Sequence, residues 1–245
     1  MLLDRRMPPT FVYFDLDNTL LDHTHAERHA LDDVRAEFDA FDGHSLDTLH
    51  TTYHEHSAAL WTQYADGEID KETLHHERFA RTLTTLGVNT VAPNDIGAYY
   101  MQRYAEHWRY VPEARAAFME VAEHVPVGVL TNGFAETQQK KLDRFPELRD
   151  LSDAIVITEH VGRLKPHPKA FAHAEQKAGV AADAILYVGD SHRSDVIGGH
   201  KAGWRVAWYA PPTASEPVPD GCFRFDDWAT LLDAVRLFPA DAPSP

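Results

Sequence analysis

Asp15 and Asp17 are the first residues of the chain equipped for chemistry. They sit two apart in Phe11-Val12-Tyr13-Phe14-Asp15-Leu16-Asp17-Asn18-Thr19-Leu20-Leu21. The aromatic and β-branched run before them reads as a buried strand, so the acids fall where that strand ends. The carboxyl edge of an open parallel sheet is where ligands bind. Extended backbone would point the two acids opposite ways, but a turn directly after Asp15 brings both to one place. Asp-Asn-Thr is also ordinary turn and helix-cap chemistry. Three later signals fall at the same kind of position: Thr131-Asn132-Gly133, Lys165-Pro166, and Gly189-Asp190 followed by Asp195. Singly they have ordinary explanations: a turn, a solvated cation, an N-cap, a salt-bridged surface aspartate. In this order, each at a strand end or a helix start, they point to one site.

The elements that must position these residues alternate. Strands are expected at 11–15, 125–130, 154–158, 184–189 and 206–209. Helices are expected at 112–124, 134–143, from Lys165 to Gly179, at 193–202 with Gly203 as stop, and at 226–237. Residues 210–221 read as a Pro-rich loop. Such alternation predicts an α/β fold, a Rossmann-like parallel sheet built from right-handed βα units. Between the first and second strands the pattern is helical throughout: 26–41, 46–64, 71–86 with Gly87 as C-cap, and 94–108. This block reads as an inserted α-helical cap domain over 22–108. The core is then 9–21 and 109–238, residues 1–9 are a loose leader, and 239–245 a frayed tail.

Composition narrows the function classes. The chain has 245 residues, 44% of them hydrophobic, enough for a packed core. It has no apolar run of membrane-spanning length and no signal-peptide core, which predicts no membrane partner. A single cysteine, Cys222, excludes an internal disulfide and a cysteine metal site, and makes a reducing cytoplasm the expected location. The formal charge of −15 argues against binding a nucleic-acid polymer. It also means that an anionic substrate needs local help, from a metal or a few placed cations. The acidic surface suits high solubility and hints at a salt-adapted source. The 16 histidines are scattered, without metalloprotease spacing. Nothing in the sequence marks an oligomer interface.

The four segments resemble the four motifs of the haloacid dehalogenase-like hydrolase superfamily. The helical block resembles the cap this superfamily inserts after its first motif, and the short interval from Thr131 to Lys165 leaves no room for a second cap. Leu60-Trp61-x-x-Tyr64-x-x-Gly67, Thr131-Asn132-Gly133-Phe134 and Glu159-x-Val161-Gly162-x-x-Lys165-Pro166 resemble the pyrimidine 5′-nucleotidase branch.

The resemblance implies a phosphatase whose parts can be matched to what phosphoryl transfer needs: an in-line nucleophile, charge neutralisation and a proton for the leaving group. Asp15 is the expected nucleophile, forming an aspartyl-phosphate. Asp17 is the expected acid and base, with its pKa raised by burial under the cap. Mg²⁺ is the expected cofactor, held by Asp15, the backbone carbonyl of Asp17, and Asp190. Lys165, the Thr131 hydroxyl and the Asn132 backbone N–H are expected to hold the phosphoryl oxygens. Asp195 supports, by orienting Lys165 or a metal-bound water. The superfamily's dehalogenases lack the second acid and the metal, so Asp17 and Asp190 favour a phosphatase over a 2-haloacid dehalogenase.

The expected partner is a small-molecule phosphate ester, with a nucleoside 5′-monophosphate first and phosphoglycolate or a sugar phosphate as alternatives. A binding protein on the same fold is the non-enzymatic alternative. Phe134, Trp61 and Tyr64, with Tyr99 and Tyr100, are candidate substrate contacts, although aromatics at helical spacing are more often core.

Overall fold

The computed structural model describes residues 8–236. The expected tail at 239–245, the first seven residues of the expected leader, and the ends of the expected core and last helix lie outside them. The described residues fall into two compact units. One is His23–Arg109; the other comprises the residues up to Asp22 and from Tyr110 onward.

The second unit is built on six parallel strands: β1 Phe11–Phe14, β2 Val127–Thr131, β3 Ser152–Ile157, β4 Ile185–Gly189, β5 Arg205–Tyr209 and β6 Cys222–Phe225. Their order across the sheet is β3-β2-β1-β4-β5-β6. β1 is central, pairing with β2 on one side and β4 on the other, so that Phe14 stands beside both Val129 and Val188. Its four residues are all buried because helices cover both sheet faces. Val12 and Phe14 join Phe118, Val121, Trp228 and Leu231 on one face. Phe11 and Tyr13 join Phe171, Tyr187 and Trp204 on the other. The strand order reverses at β1, with β2 and β4 leaving in opposite directions, and that reversal opens a crevice at the carboxyl edge.

Five strands match the expected ones within two residues at each end; β6 does not. It lies directly after the stretch read as loop and before the last expected helix, and is a short edge strand parallel to β5. Only Phe225 of its four residues is buried, against Tyr209 and Trp228, so it carries too little apolar pattern to stand out. Short helices at Pro146–Asp150 and Thr158–Val161 were also not legible, each being under two turns.

The helical unit contains His23–Glu37, Leu46–Asp66, Lys71–Leu86 and Pro93–Glu106. Gly87 ends the third of these at φ 69°, a left-handed conformation that costs glycine nothing. Tyr53, Phe79, Tyr100 and Tyr104 form the aromatic centre of this unit, with Tyr100 5.2 Å from Tyr53 and 5.3 Å from Phe79. Tyr100 is 2% exposed, which corrects its reading as a substrate contact: it is core. Among the described residues no helix is long and apolar enough to cross a membrane.

Candidate active site

Three strand ends carry the site. Asp15 directly follows β1, and its backbone N–H still donates to Val188 O at 2.8 Å, continuing the ladder. The chain then turns: the N–H groups of Leu20 and Leu21 both donate to Leu16 O, and Asn18 takes φ 58°. This is the turn the i, i+2 spacing required. β2 ends at Thr131, with Asn132 next. β4 ends at Gly189, with Asp190 next. Gly189 is there for close approach: a Cβ on it would lie 2.5 Å from Oδ2 of Asp195.

Lys165 joins these ends. Its Nζ donates to Asp15 Oδ1 at 2.7 Å and to Asp195 Oδ1 at 2.8 Å, with Leu130 O at 3.1 Å and the Tyr187 hydroxyl also in reach. Lys165 is 2% exposed and Asp195 fully buried, so the solvated-cation and surface-aspartate explanations do not apply. Asp195 is itself fixed by Tyr187, whose hydroxyl lies 3.0 Å from Oδ1, and by the Ser191 N–H, 2.9 Å from Oδ2. Asp190 accepts from the buried Thr19 hydroxyl at 3.2 Å.

Asn132 acts through its side chain. Oδ1 accepts from the Lys165 N–H and the Thr158 hydroxyl, each at 2.8 Å, and Nδ2 donates to Lys165 O at 3.0 Å. These bonds pin the segment carrying Lys165 to the end of β2. The Thr131 hydroxyl is buried and donates to Asn132 O at 3.0 Å.

The electrostatics show an excess of negative charge. Burial pushes the Asp15 carboxyl up to about 7; Lys165 opposes this and Asp195 adds repulsion. Burial raises Asp190 well above the ordinary carboxylate range, and repulsion from Asp15 and Asp195 adds to it. Burial alone would lower Lys165, but Asp15 and Asp195 outweigh it and hold the ammonium above its ordinary range. One ammonium thus faces three carboxylates. Asp15, Asp190 and Asp195 each offer an oxygen, and these atoms lie within 4.8 Å of one another. Close-set carboxylate oxygens with uncompensated negative charge fit a hard divalent cation such as Mg²⁺. When bound, such a cation supplies the positive charge that the lysine alone cannot.

Asp17 has a side-chain exposure of 27% and is ion-paired: Lys141 Nζ lies 2.5 Å from Oδ1, and Gln138 Nε2 donates to Oδ2 at 2.9 Å. Gln138 Nε2 also reaches Asn132 O at 2.6 Å and the Thr131 hydroxyl at 3.2 Å, linking the first motif to the second. Both residues lie on the helix Ala135–Arg144 and were missed, because glutamine and lysine on a polar helix read as a solvated face. Tyr187 was missed because a tyrosine in an apolar strand reads as core.

Of the aromatic candidates, Phe134 is buried at the start of the helix Ala135–Arg144. Trp61 and Tyr64 belong to the helical unit, half-buried, with ring centroids 5.7 Å apart. Tyr99 packs edge-on against Phe38 at 5.6 Å.

Comparison with known proteins agrees with this geometry. The model of the haloacid dehalogenase-like hydrolases matches residues 11–203, which spans all four motifs. Pyrimidine 5′-nucleotidase YjjG of Escherichia coli is 32% identical, over 81% of this chain and 84% of its own. Glyceraldehyde 3-phosphate phosphatase of Pyrococcus abyssi is 28% identical, over 81% and 80% respectively. The crystal structure of the HAD-hydrolase YfnB of Bacillus subtilis, which is bound to magnesium, superposes with a TM-score of 0.79 at 22% identity, covering 93% of this chain and 99% of that one. The chain therefore belongs to the haloacid dehalogenase-like hydrolases.

Proposed function

We propose that the chain is a Mg²⁺-dependent phosphoric monoester hydrolase that works through an aspartyl-phosphate on Asp15, with a nucleoside 5′-monophosphate as the leading substrate. The observation that carries this is the buried Lys165 shared by Asp15 and Asp195 beside Asp190. This supports the reading because it sets the proposed nucleophile, the proposed cation for phosphoryl oxygens and the proposed metal donors side by side. The nucleotidase and phosphatase names of the relatives support the reaction class, and the nucleotidase name supports the substrate.

In the first step Asp15 attacks phosphorus, the bond to the ester oxygen breaks, and that oxygen takes its electron pair and a proton from Asp17. In the second step water attacks phosphorus, loses its proton to Asp17, and the Asp15–phosphorus bond breaks. Asp17 ends with the proton it began with, so the balance is ester plus water to alcohol plus phosphate. Lys165 and Thr131 hold the transferred group's oxygens, and Asp195 and Tyr187 keep Lys165 in place. Asp15, Asp190 and the Asp17 carbonyl would hold the Mg²⁺. A halide leaves without a proton, so a dehalogenase has no use for Asp17. Trp61, Tyr64 and Phe134 are the proposed contacts for the rest of the substrate, and the protein is proposed to work in the cytoplasm.

The test is a phosphate-release screen with Mg²⁺ across nucleoside monophosphates, sugar phosphates and phosphoglycolate, with halide release from a 2-chloro acid alongside. Phosphate release that is highest for a nucleoside 5′-monophosphate and abolished by EDTA is expected. Halide release, or metal-independent turnover, would overturn the reaction. Preference for another ester would overturn the substrate.

A further inference from the structure

We propose that Lys141 is the positioning residue for the Asp17 acid–base, fixing with Gln138 the plane in which the Asp17 carboxyl passes its proton. The proposal rests on the reading of Asp17 given above, and its test separates the two.

Lys141 and Gln138 are one turn apart on the helix Ala135–Arg144, and both are almost fully buried, at 2% and 1% exposure. They grip different oxygens of Asp17: Lys141 holds Oδ1 at 2.5 Å and Gln138 holds Oδ2 at 2.9 Å. Bonds to both oxygens fix rotation about the carboxyl bond, which one bond would leave free. Each oxygen keeps a further lone pair, so a proton can still be carried. Gln138 is in turn held by Asn132 O and Thr131 Oγ1, so the grip on Asp17 is tied to the turn proposed to hold the phosphoryl group.

Stability does not account for this arrangement. Burying an ammonium is costly unless it is paired, and replacing a buried ion pair with apolar groups is often neutral or stabilising. Leu142 and Ala135 on the same helix already pack against the sheet's core. A lysine buried to meet a partly exposed carboxylate serves the carboxylate. A proton donor displaced by about an ångström can lose orders of magnitude in rate, so the grip is worth its cost only if Asp17 transfers a proton.

The test compares kcat/KM on two esters that differ in need for the acid. An alkyl phosphate leaves as a strongly basic alkoxide and needs the proton; p-nitrophenyl phosphate leaves as a weakly basic phenoxide and needs it little. Since kcat/KM covers only steps up to departure of the leaving group, the hydrolysis step common to both does not mask the difference. Asp17→Asn and Lys141→Met are each expected to lose about tenfold or more beyond their aryl-ester loss when assayed on the alkyl ester. Lys141→Arg, which keeps a cation, is expected to recover part of that selective loss, and the double variant to lose little more than Asp17→Asn alone. If Asp17→Asn discriminates between the esters and Lys141→Met does not, the positioning role is wrong. If Asp17→Asn itself treats both esters alike, the acid–base reading of Asp17 fails, and the proposal with it. Circular dichroism checks folding. Lys141→Gln replaces Lys141→Met should the latter not fold, with the same outcomes.

Discussion

The ammonium of Lys165 stands 2.7 Å from Oδ1 of Asp15, a residue 150 positions earlier in the chain, and both are buried. The same ammonium reaches Asp195 at 2.8 Å. Removing one partner of such a buried group leaves charges with no compensation, which costs about 3–5 kcal/mol. Lys165→Met is expected to lower the unfolding free energy of the metal-free protein by about that amount at pH 8. The loss should shrink at pH 5.5, where the abandoned carboxylates take up protons. Urea melts at the two pH values check this; an equal loss at both would show that the carboxylates are not the cause.

Magnesium affinity is expected to depend on pH in a stated direction. The Asp15 carboxyl is pushed up to about 7 by burial, against Lys165 and with Asp195, from an ordinary value of 3.8. Between 3.8 and about 7 the folded, metal-free protein therefore carries a proton that the unfolded chain has already lost. Its stability falls as pH rises through that window. The same proton must leave before the metal binds. Asp190, also raised by burial and by Asp15, must lose its proton as well, so affinity should rise at least tenfold per pH unit up to about 7. Titration calorimetry at pH 5.5, 7 and 8.5 checks the slope; an affinity unchanged across that range would contradict it.

Asn132→Ala removes three side-chain bonds, to Thr158 and to both backbone groups of Lys165. At about 0.5–1.5 kcal/mol each, the expected loss of stability is about 1.5–4.5 kcal/mol. Because these bonds pin the segment carrying Lys165, kcat on a phosphate ester should fall as well. Equilibrium unfolding and steady-state rates check both effects. Full activity in a destabilised variant would show that Lys165 holds its place without Asn132.

What was legible in the sequence followed from burial. β1 lies between two helical layers, so its residues had to be apolar on both faces, and the break to Asp15 marked its end. Thr131 and Asp190 were legible because each ends or follows an apolar strand, and Lys165 because Lys165-Pro166 reads as the opening of a helix. Lys141 and Gln138 were not, because helical spacing does not distinguish a lysine that reaches inward to one carboxylate from one that faces water. Tyr187 was hidden for the opposite reason: its ring satisfies the apolar pattern of β4, while its hydroxyl serves Lys165 and Asp195. Tyr100 had the residue type of a substrate contact, and its place among Tyr53, Phe79 and Tyr104 was set by tertiary packing alone.

The central claim is that Asp15 becomes phosphorylated. The most direct measurement is an acid quench of the Mg²⁺-loaded enzyme during turnover of a radiolabelled phosphate ester, followed by peptide mapping. Label is expected on the peptide carrying Asp15, released by hydroxylamine as an acyl-phosphate is. Neither label nor turnover is expected in a folded Asp15→Asn variant. Label on another residue, or phosphate release by Asp15→Asn at the wild-type rate, would contradict it.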